Sequence, residues 1–423
     1  MRNRIEWLRA LIGRAVRRAE QVSGKGFAGR VIRCRPSRAA AAVGMALALG
    51  CAGPVLAQTA FYDVHGDAEL NGADGTVIRQ EPMSGAPHGA TAYRVLYRST
   101  GLDGKRIAVS GVVILPQGSP PPGGRPIVAW AHPTTGVIAR CAPSLTGTFF
   151  QNVQGLNLML ERGYIVVATD YPGLGTAGPH PFLVGNSEGR AVLDSVRAAR
   201  AIAQGGASNR FAVWGHSQGG QAALFTGLLA KRYAPELDLV GIAAAAPATE
   251  LAALLNDDLG TVAGKNLTSM ALWSWSKIYD APLARALDAA AIPVVDRLAG
   301  ECVESLLDLL ERSETERPLQ KDFLRVANLS DIEPWHTLLQ ENTPGPLPSQ
   351  LPVFLAQGTS DPIVRPAATQ DYMARLCEAG AKVRMLLMPG VGHMAAAHRS
   401  AEAAVAWISD RFAGIAPPTD CRG

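Results

Sequence analysis

Apolar residues arrive along this chain in two rhythms. Runs at 91–99, 105–115, 125–131, 164–170, 211–214, 240–246, 351–357 and 381–388 have the length and β-branched content of strands. The first two alternate apolar and polar positions and read as an opening antiparallel pair. The later ones are near-continuous apolar runs, as expected of strands covered on both faces. Between them lie stretches of helical composition at 154–162, 190–203, 221–231 and 400–412. Strands alternating with helices predict an α/β fold built on a mostly parallel, doubly wound sheet. From about 250 to 345 the alternation stops. That stretch holds Ala/Leu-rich helical runs at 283–291 and 301–311, with Trp273, Trp275, Phe323 and Trp335 among them. It reads as a helical cap over 251–345, inserted between the sixth and seventh strands. The core is then split into 58–250 and 346–423, and the residues before 91 read as an arm around the sheet.

Residues 211–214, Phe-Ala-Val-Trp, run directly into Gly215-His216-Ser217-Gln218-Gly219 and then into a helix. A strand, Gly-x-Ser-x-Gly and a helix make the nucleophile elbow of an α/β-hydrolase. The turn is too tight for side chains at its flanking positions, hence the glycines. It lifts the Ser217 hydroxyl above the sheet. A serine hydroxyl is a weak nucleophile until a base takes its proton, so the chemistry requires a histidine and an acid to orient it. Both follow in the order this fold uses. The strand at 351–357 ends in Gly358-Thr359-Ser360-Asp361-Pro362, and the strand at 381–388 ends in Pro389-Gly390-Val391-Gly392-His393. The 32 residues between Asp361 and His393 leave room for one helix and one strand. Ser217, Asp361 and His393 are therefore the candidate nucleophile, acid and base.

Rivals exist for each position. A second match, Gly185-Asn186-Ser187-Glu188-Gly189, follows a shorter apolar stretch, and Ser187 reads as the N-cap of the 190–203 helix with Glu188 in its first turn. His398 falls at the start of the last helix. Asp331 and His336 fall in an irregular stretch, and Asp170 precedes the serine. The apolar run at 125–131 ends in His132-Pro133-Thr134-Thr135-Gly136, where this fold supplies an oxyanion donor. Proline has no N–H, so the expected donors are the backbone amides of Thr134 and Gln218.

Taken together, Ala131-His132-Pro133-Thr134-Thr135-Gly136, Thr169-Asp170-Tyr171-Pro172-Gly173-Leu174-Gly175, His180-Pro181-Phe182-Leu183-Val184-Gly185, Gly215 to Gly220, Gly358 to Asp361 and Gly392-His393 resemble the secretory lipase family, the fungal lipase A type and its bacterial relatives. The likeness would cover roughly 60–415. It implies an α/β-hydrolase fold with a helical cap and hydrolysis of carboxylic esters, acylglycerols or simpler acyl esters, through an acyl-enzyme. Pro133 departs from the glycine usual in that loop. An apolar cap would suit an acyl chain or a lipid–water interface, although each Trp taken singly reads as packing. No His-Glu-x-x-His or Cys-x-x-Cys points to a metal, and the reaction requires no cofactor. The same triad would serve an acyltransferase or a peptidase, and a fold-retaining binding protein is the non-enzymatic alternative. Four cysteines follow residue 58: Cys141, Cys302, Cys377 and Cys421. They allow three pairings or free thiols, and the resemblance favours Cys141–Cys302 with Cys377–Cys421.

Charge changes the picture only at the N-terminus. Residues 1–57 hold 11 Lys/Arg and 2 Asp/Glu, a charge of +9; against +4 for the whole chain, residues 58–423 carry −5. The basic balance belongs to the leader, so a nucleic-acid partner is not indicated. A basic region at 30–38, an apolar one at 39–50 and Val55-Leu56-Ala57 read as a secretory signal peptide cleaved near Ala57, with residues 1 to about 30 an over-extended start. This predicts a secreted or periplasmic protein without a transmembrane segment in the mature chain. Export makes disulfides expected. Gly50-Cys51 raises a lipoprotein alternative, but Ala48-Leu49-Gly50-Cys51 lacks the usual apolar residue three before the cysteine.

Overall fold

Strands form where the apolar runs stand, and the computed structural model gathers nine of them, among the described residues, into one sheet. It describes residues 60–203, 206–256, 259–303, 306–319 and 323–421. The leader expected over 1–57, its cleavage at Ala57 and the Cys51 alternative lie outside these residues. The strands are β1 (Val77–Pro82), β2 (Ala90–Thr100), β3 (Arg106–Pro116), β4 (Arg125–Ala131), β5 (Ile165–Thr169), β6 (Ala207–His216), β7 (Asp238–Ala245), β8 (Val353–Gly358) and β9 (Val383–Met388). Their order is β1-β2-β3-β5-β4-β6-β7-β8-β9. β1, β2, β3 and β5 pair antiparallel in succession, and every pairing from β5 through β4 to β9 is parallel.

β1 corrects the expected arm. Its residues Val-Ile-Arg-Gln-Glu-Pro are partly buried and carry no apolar run, as suits a strand at a sheet edge. Counting it moves the helical insertion from between the sixth and seventh strands to between β7 and β8.

Successive side chains of the central strands feed opposite core layers, as the period of two requires. Ile127, Ala129 and Ala131 of β4 join one layer with helices α1 (Gly185–Ile202) and α2 (Gln218–Tyr233). Val128 and Trp130 join the other, which continues into the helical insertion. The insertion comprises α3 (Leu251–Asn256), α4 (Val262–Ile278), α5 (Ile292–Ala299), α6 (Leu306–Thr315) and α7 (Trp335–Glu341), with a short turn of helix at Leu283–Ala286. Two of its expected helices are redrawn. The 283–291 run breaks after Ala286, where Leu287 bridges to Leu324, and α5 restarts with Pro293 in its first turn. In the 301–311 run, residues 301–303 stand outside a helix and α6 is described from Leu306. Cys302 is bonded to Cys141, and the Val303 N–H donates to the Thr135 carbonyl at 2.9 Å, which holds that stretch outside a helix. The second disulfide joins Cys377, in α8 (Pro366–Glu378), to Cys421. The chain closes with α9 (Ala396–Phe412). No helix among the described residues is long and apolar enough to cross a membrane.

Candidate active site

The turn between β6 and α2 is sterically tight. Ser217 sits there at φ 57° and ψ −119°, a left-handed backbone that non-glycine residues adopt only where surroundings enforce it. The flanking glycines are obligatory on steric grounds. A Cβ at Gly215 would lie 2.1 Å from the Gly219 carbonyl oxygen, and one at Gly219 would lie 1.9 Å from the Ala131 oxygen.

The structure brings Ser217, His393 and Asp361 together. His393 Nε2 is 2.8 Å from Ser217 Oγ, and His393 Nδ1 is 2.8 Å from Asp361 Oδ2. Asp361 can only accept, so Nδ1 carries the proton and Nε2 is left to receive one from the serine. Asp361 is itself fixed. Its Oδ1 accepts the Ile363 and Val364 N–H groups at 2.9 and 3.0 Å, and its Oδ2 accepts Gln357 Nε2 at 3.2 Å. Gln357 is the penultimate residue of β8, and its Oε1 accepts Thr369 Oγ1 at 2.7 Å. His393 opens a single 3-10 turn, and the His216 Nε2–H donates to its carbonyl at 3.1 Å. Burial, reinforced by His393, pushes His216 down to about 3, so it is a neutral donor here and adds no second positive charge.

Thr134 and Thr135 line the same cavity as Ser217 and His393. Gln218 opens α2, and the first N–H groups of a helix have no partner within it; its side chain turns away from the cavity. The other candidates stay apart. Asp170 is buried against Ser110 and Ser144. His398 is exposed beside Gln154, and His336 bonds the Ser330 carbonyl. Ser187 is not the N-cap expected of it. α1 begins two residues earlier, with Val184 as its cap, so Ser187 lies inside the first turn. It is Glu188 that reaches back, accepting the Leu183 N–H at 3.0 Å. Gln357 and His216 were not among the residues expected at the site. Gln357, polar at the end of an apolar strand run, and His216, inside the elbow motif, were the legible signals.

The cavity in front of Ser217 has a volume of about 530 Å³. Trp130 and Phe149 line it from the core, and Val262, Leu267 and Met270 from α4. The aromatics of the insertion do not line it. Trp275 stacks on Trp335 at 6.3 Å and donates Nε1 to the Phe182 carbonyl at 2.9 Å. Trp273 bonds Asp296, and Phe323 is buried in the core. Their role is packing, and the apolar side chains that α4 presents to the cavity are aliphatic.

Comparisons with known proteins place the chain by family and by fold. A family described as secretory lipase matches residues 144–420; the match begins after the Ala131–Gly136 loop. Lipase 5 of Candida albicans is 28% identical over 310 residues, 67% of this chain and 64% of its own, so the chain spans under two thirds of that relative's length. A Mycobacterium tuberculosis protein described as a probable inactive lipase is 26% identical over 380 residues, 82% of this chain and 80% of its own. Among solved structures, Candida antarctica lipase A superposes with a TM-score of 0.69 at 22% identity, over 85% of this chain and 87% of that one. The rice cell wall degrading esterase LipA of Xanthomonas oryzae gives 0.67 at 19%, over 81% and 99%. Both likenesses are to the fold.

Proposed function

The chain belongs to the secretory lipase family, and we propose that it is an exported serine carboxylic ester hydrolase acting on acylglycerols or related acyl esters through an acyl-enzyme. One observation carries the reading: the Ser217, His393 and Asp361 relay, with both of its contacts at 2.8 Å. A relative described as probably inactive makes that relay, rather than membership alone, the ground for activity.

As Ser217 Oγ attacks the ester carbonyl carbon, its proton passes to His393 Nε2. Asp361 stabilises the imidazolium that forms. The carbonyl oxygen becomes an oxyanion held by the backbone N–H groups of Thr134 and Gln218. Collapse breaks the bond to the alcohol oxygen, which leaves with the proton from His393. Water then gives its proton to Nε2, attacks the acyl-serine and releases the carboxylic acid, restoring Ser217. The acyl chain lies along the aliphatic wall of α4, and the helices over 251–345 serve as a cap that keeps bulk water from the reaction. Export is supported by the family's secretory character and by the two disulfides.

The test is hydrolysis of p-nitrophenyl esters across acyl lengths by the protein and by Ser217→Ala. The substitution is expected to lower kcat by several orders of magnitude. A variant that keeps the full rate, or a folded parent that cleaves no ester, would overturn the reading.

A further inference from the structure

The second Gly-x-Ser-x-Gly segment supplies no nucleophile, yet its glycines too stand where a side chain would collide. It opens α1, which packs along α2. A Cβ at Gly185 would lie 2.2 Å from the Phe225 ring of α2, and one at Gly189 would lie 3.0 Å from the Phe225 backbone carbon. The two glycines therefore let α1 approach the backbone of the helix that follows Ser217.

That approach carries Glu188 to Gln218. Glu188 has no exposed surface, and its Oε1 accepts the Gln218 Nε2–H at 2.7 Å. Gln218 Nε2 also lies 2.8 Å from His180 Nε2. His180 Nδ1 faces the Pro172 carbonyl at 2.9 Å and must donate to it, which leaves Nε2 to accept. Both hydrogens of the Gln218 amide are thus engaged. The Leu183 N–H gives Glu188 Oε1 a second donor at 3.0 Å. Ser274 ties this loop to α4, donating to the His180 carbonyl at 2.6 Å and accepting the Phe182 N–H at 3.0 Å.

Gln218 follows the strained Ser217, and on the proposed function its backbone N–H is an oxyanion donor. Such a donor is effective only if it points where the negative charge forms. We infer that Glu188 and His180 are positioning residues: they clamp the Gln218 side chain so that its backbone N–H is held on the oxyanion, and the second Gly-x-Ser-x-Gly is the docking surface that brings Glu188 there. The inference rests on the serine hydrolase reading.

The protonation states suit a clamp. Burial pushes Glu188 up to about 8 and His180 down to about 3. Burial holds Tyr171, whose ring stacks on His180, well above the usual phenol range. Burial thus favours the uncharged form of each of these groups around Gln218.

The experiment measures kcat and KM for a p-nitrophenyl ester with Glu188→Ala, Glu188→Asp and Glu188→Gln, with thermal melting to confirm folding and Ser217→Ala as control. Alanine removes the acceptor, and aspartate withdraws it by one methylene. Both are expected to lower kcat about tenfold to a hundredfold, part of the effect of losing an oxyanion donor outright, with KM within about twofold. Glutamine keeps an acceptor of the same reach and is expected to stay within about threefold of the parent. A folded Glu188→Ala or Glu188→Asp with the parent's kcat overturns the inference. So does a change confined to KM, or a glutamine variant as impaired as alanine. If alanine does not fold, the aspartate and glutamine variants decide. An inactive parent or an active Ser217→Ala would instead strike the function itself.

Discussion

Asp361 Oδ1 is committed to two backbone N–H groups, and Oδ2 faces His393 and Gln357. An asparagine in its place would keep its carbonyl toward Ile363 and Val364 and turn its NH₂ toward His393 Nδ1. That nitrogen would have to accept, moving the ring proton to Nε2, where it can no longer take the proton of Ser217. Asp361→Asn is therefore expected to lower kcat by about 10³–10⁴-fold with the melting temperature little changed; steady-state kinetics with near-UV circular dichroism checks both. At this scale Ser217, Asp361 and His393 were legible because each stands at a strand end in a glycine-rich turn. Glu188 and His180 were not. Their chemistry depends on Gln218, 30 and 38 residues away, and no local pattern records that contact.

At the scale of elements, the elbow was readable because steric exclusion leaves a sequence trace in its glycines. The cap was readable as helical, but composition could not say which face each residue takes. Trp275 and Trp335 pack inward on one another and Trp275 on the Phe182 loop, while Val262, Leu267 and Met270 of α4 meet the cavity. On the proposed function, chain-length selectivity belongs to α4. Met270→Trp fills part of the cavity and is expected to shift the preferred p-nitrophenyl ester toward shorter acyl chains, whereas Trp335→Phe leaves the profile unchanged. Rates across acyl lengths for both variants check this, and a profile unmoved by Met270→Trp would place the acyl chain elsewhere. Helix boundaries in the cap were the least readable feature. They are set at Pro293 and by the anchoring of Cys302 and Val303, and the second of these depends on partners about 160 residues away.

At the scale of the molecule, the Cys141–Cys302 bond spans 161 residues and joins the segment after the Thr134 loop to the cap, next to the Val303 contact with Thr135. The loop that carries one proposed oxyanion donor is thus tied to the element that roofs the cavity. The parallel sheet was legible from its buried apolar runs, and the edge strand β1 was not, since a half-exposed strand needs no such run. Two halves of the chain, separated by the cap, must close for Ser217 from one to meet Asp361 and His393 from the other. The most direct measurement of whether they do so productively is labelling of the folded protein with a fluorophosphonate, followed by peptide mapping. One adduct is expected, on Ser217, and none on Ser187. No adduct, or one on Ser187, would contradict that expectation.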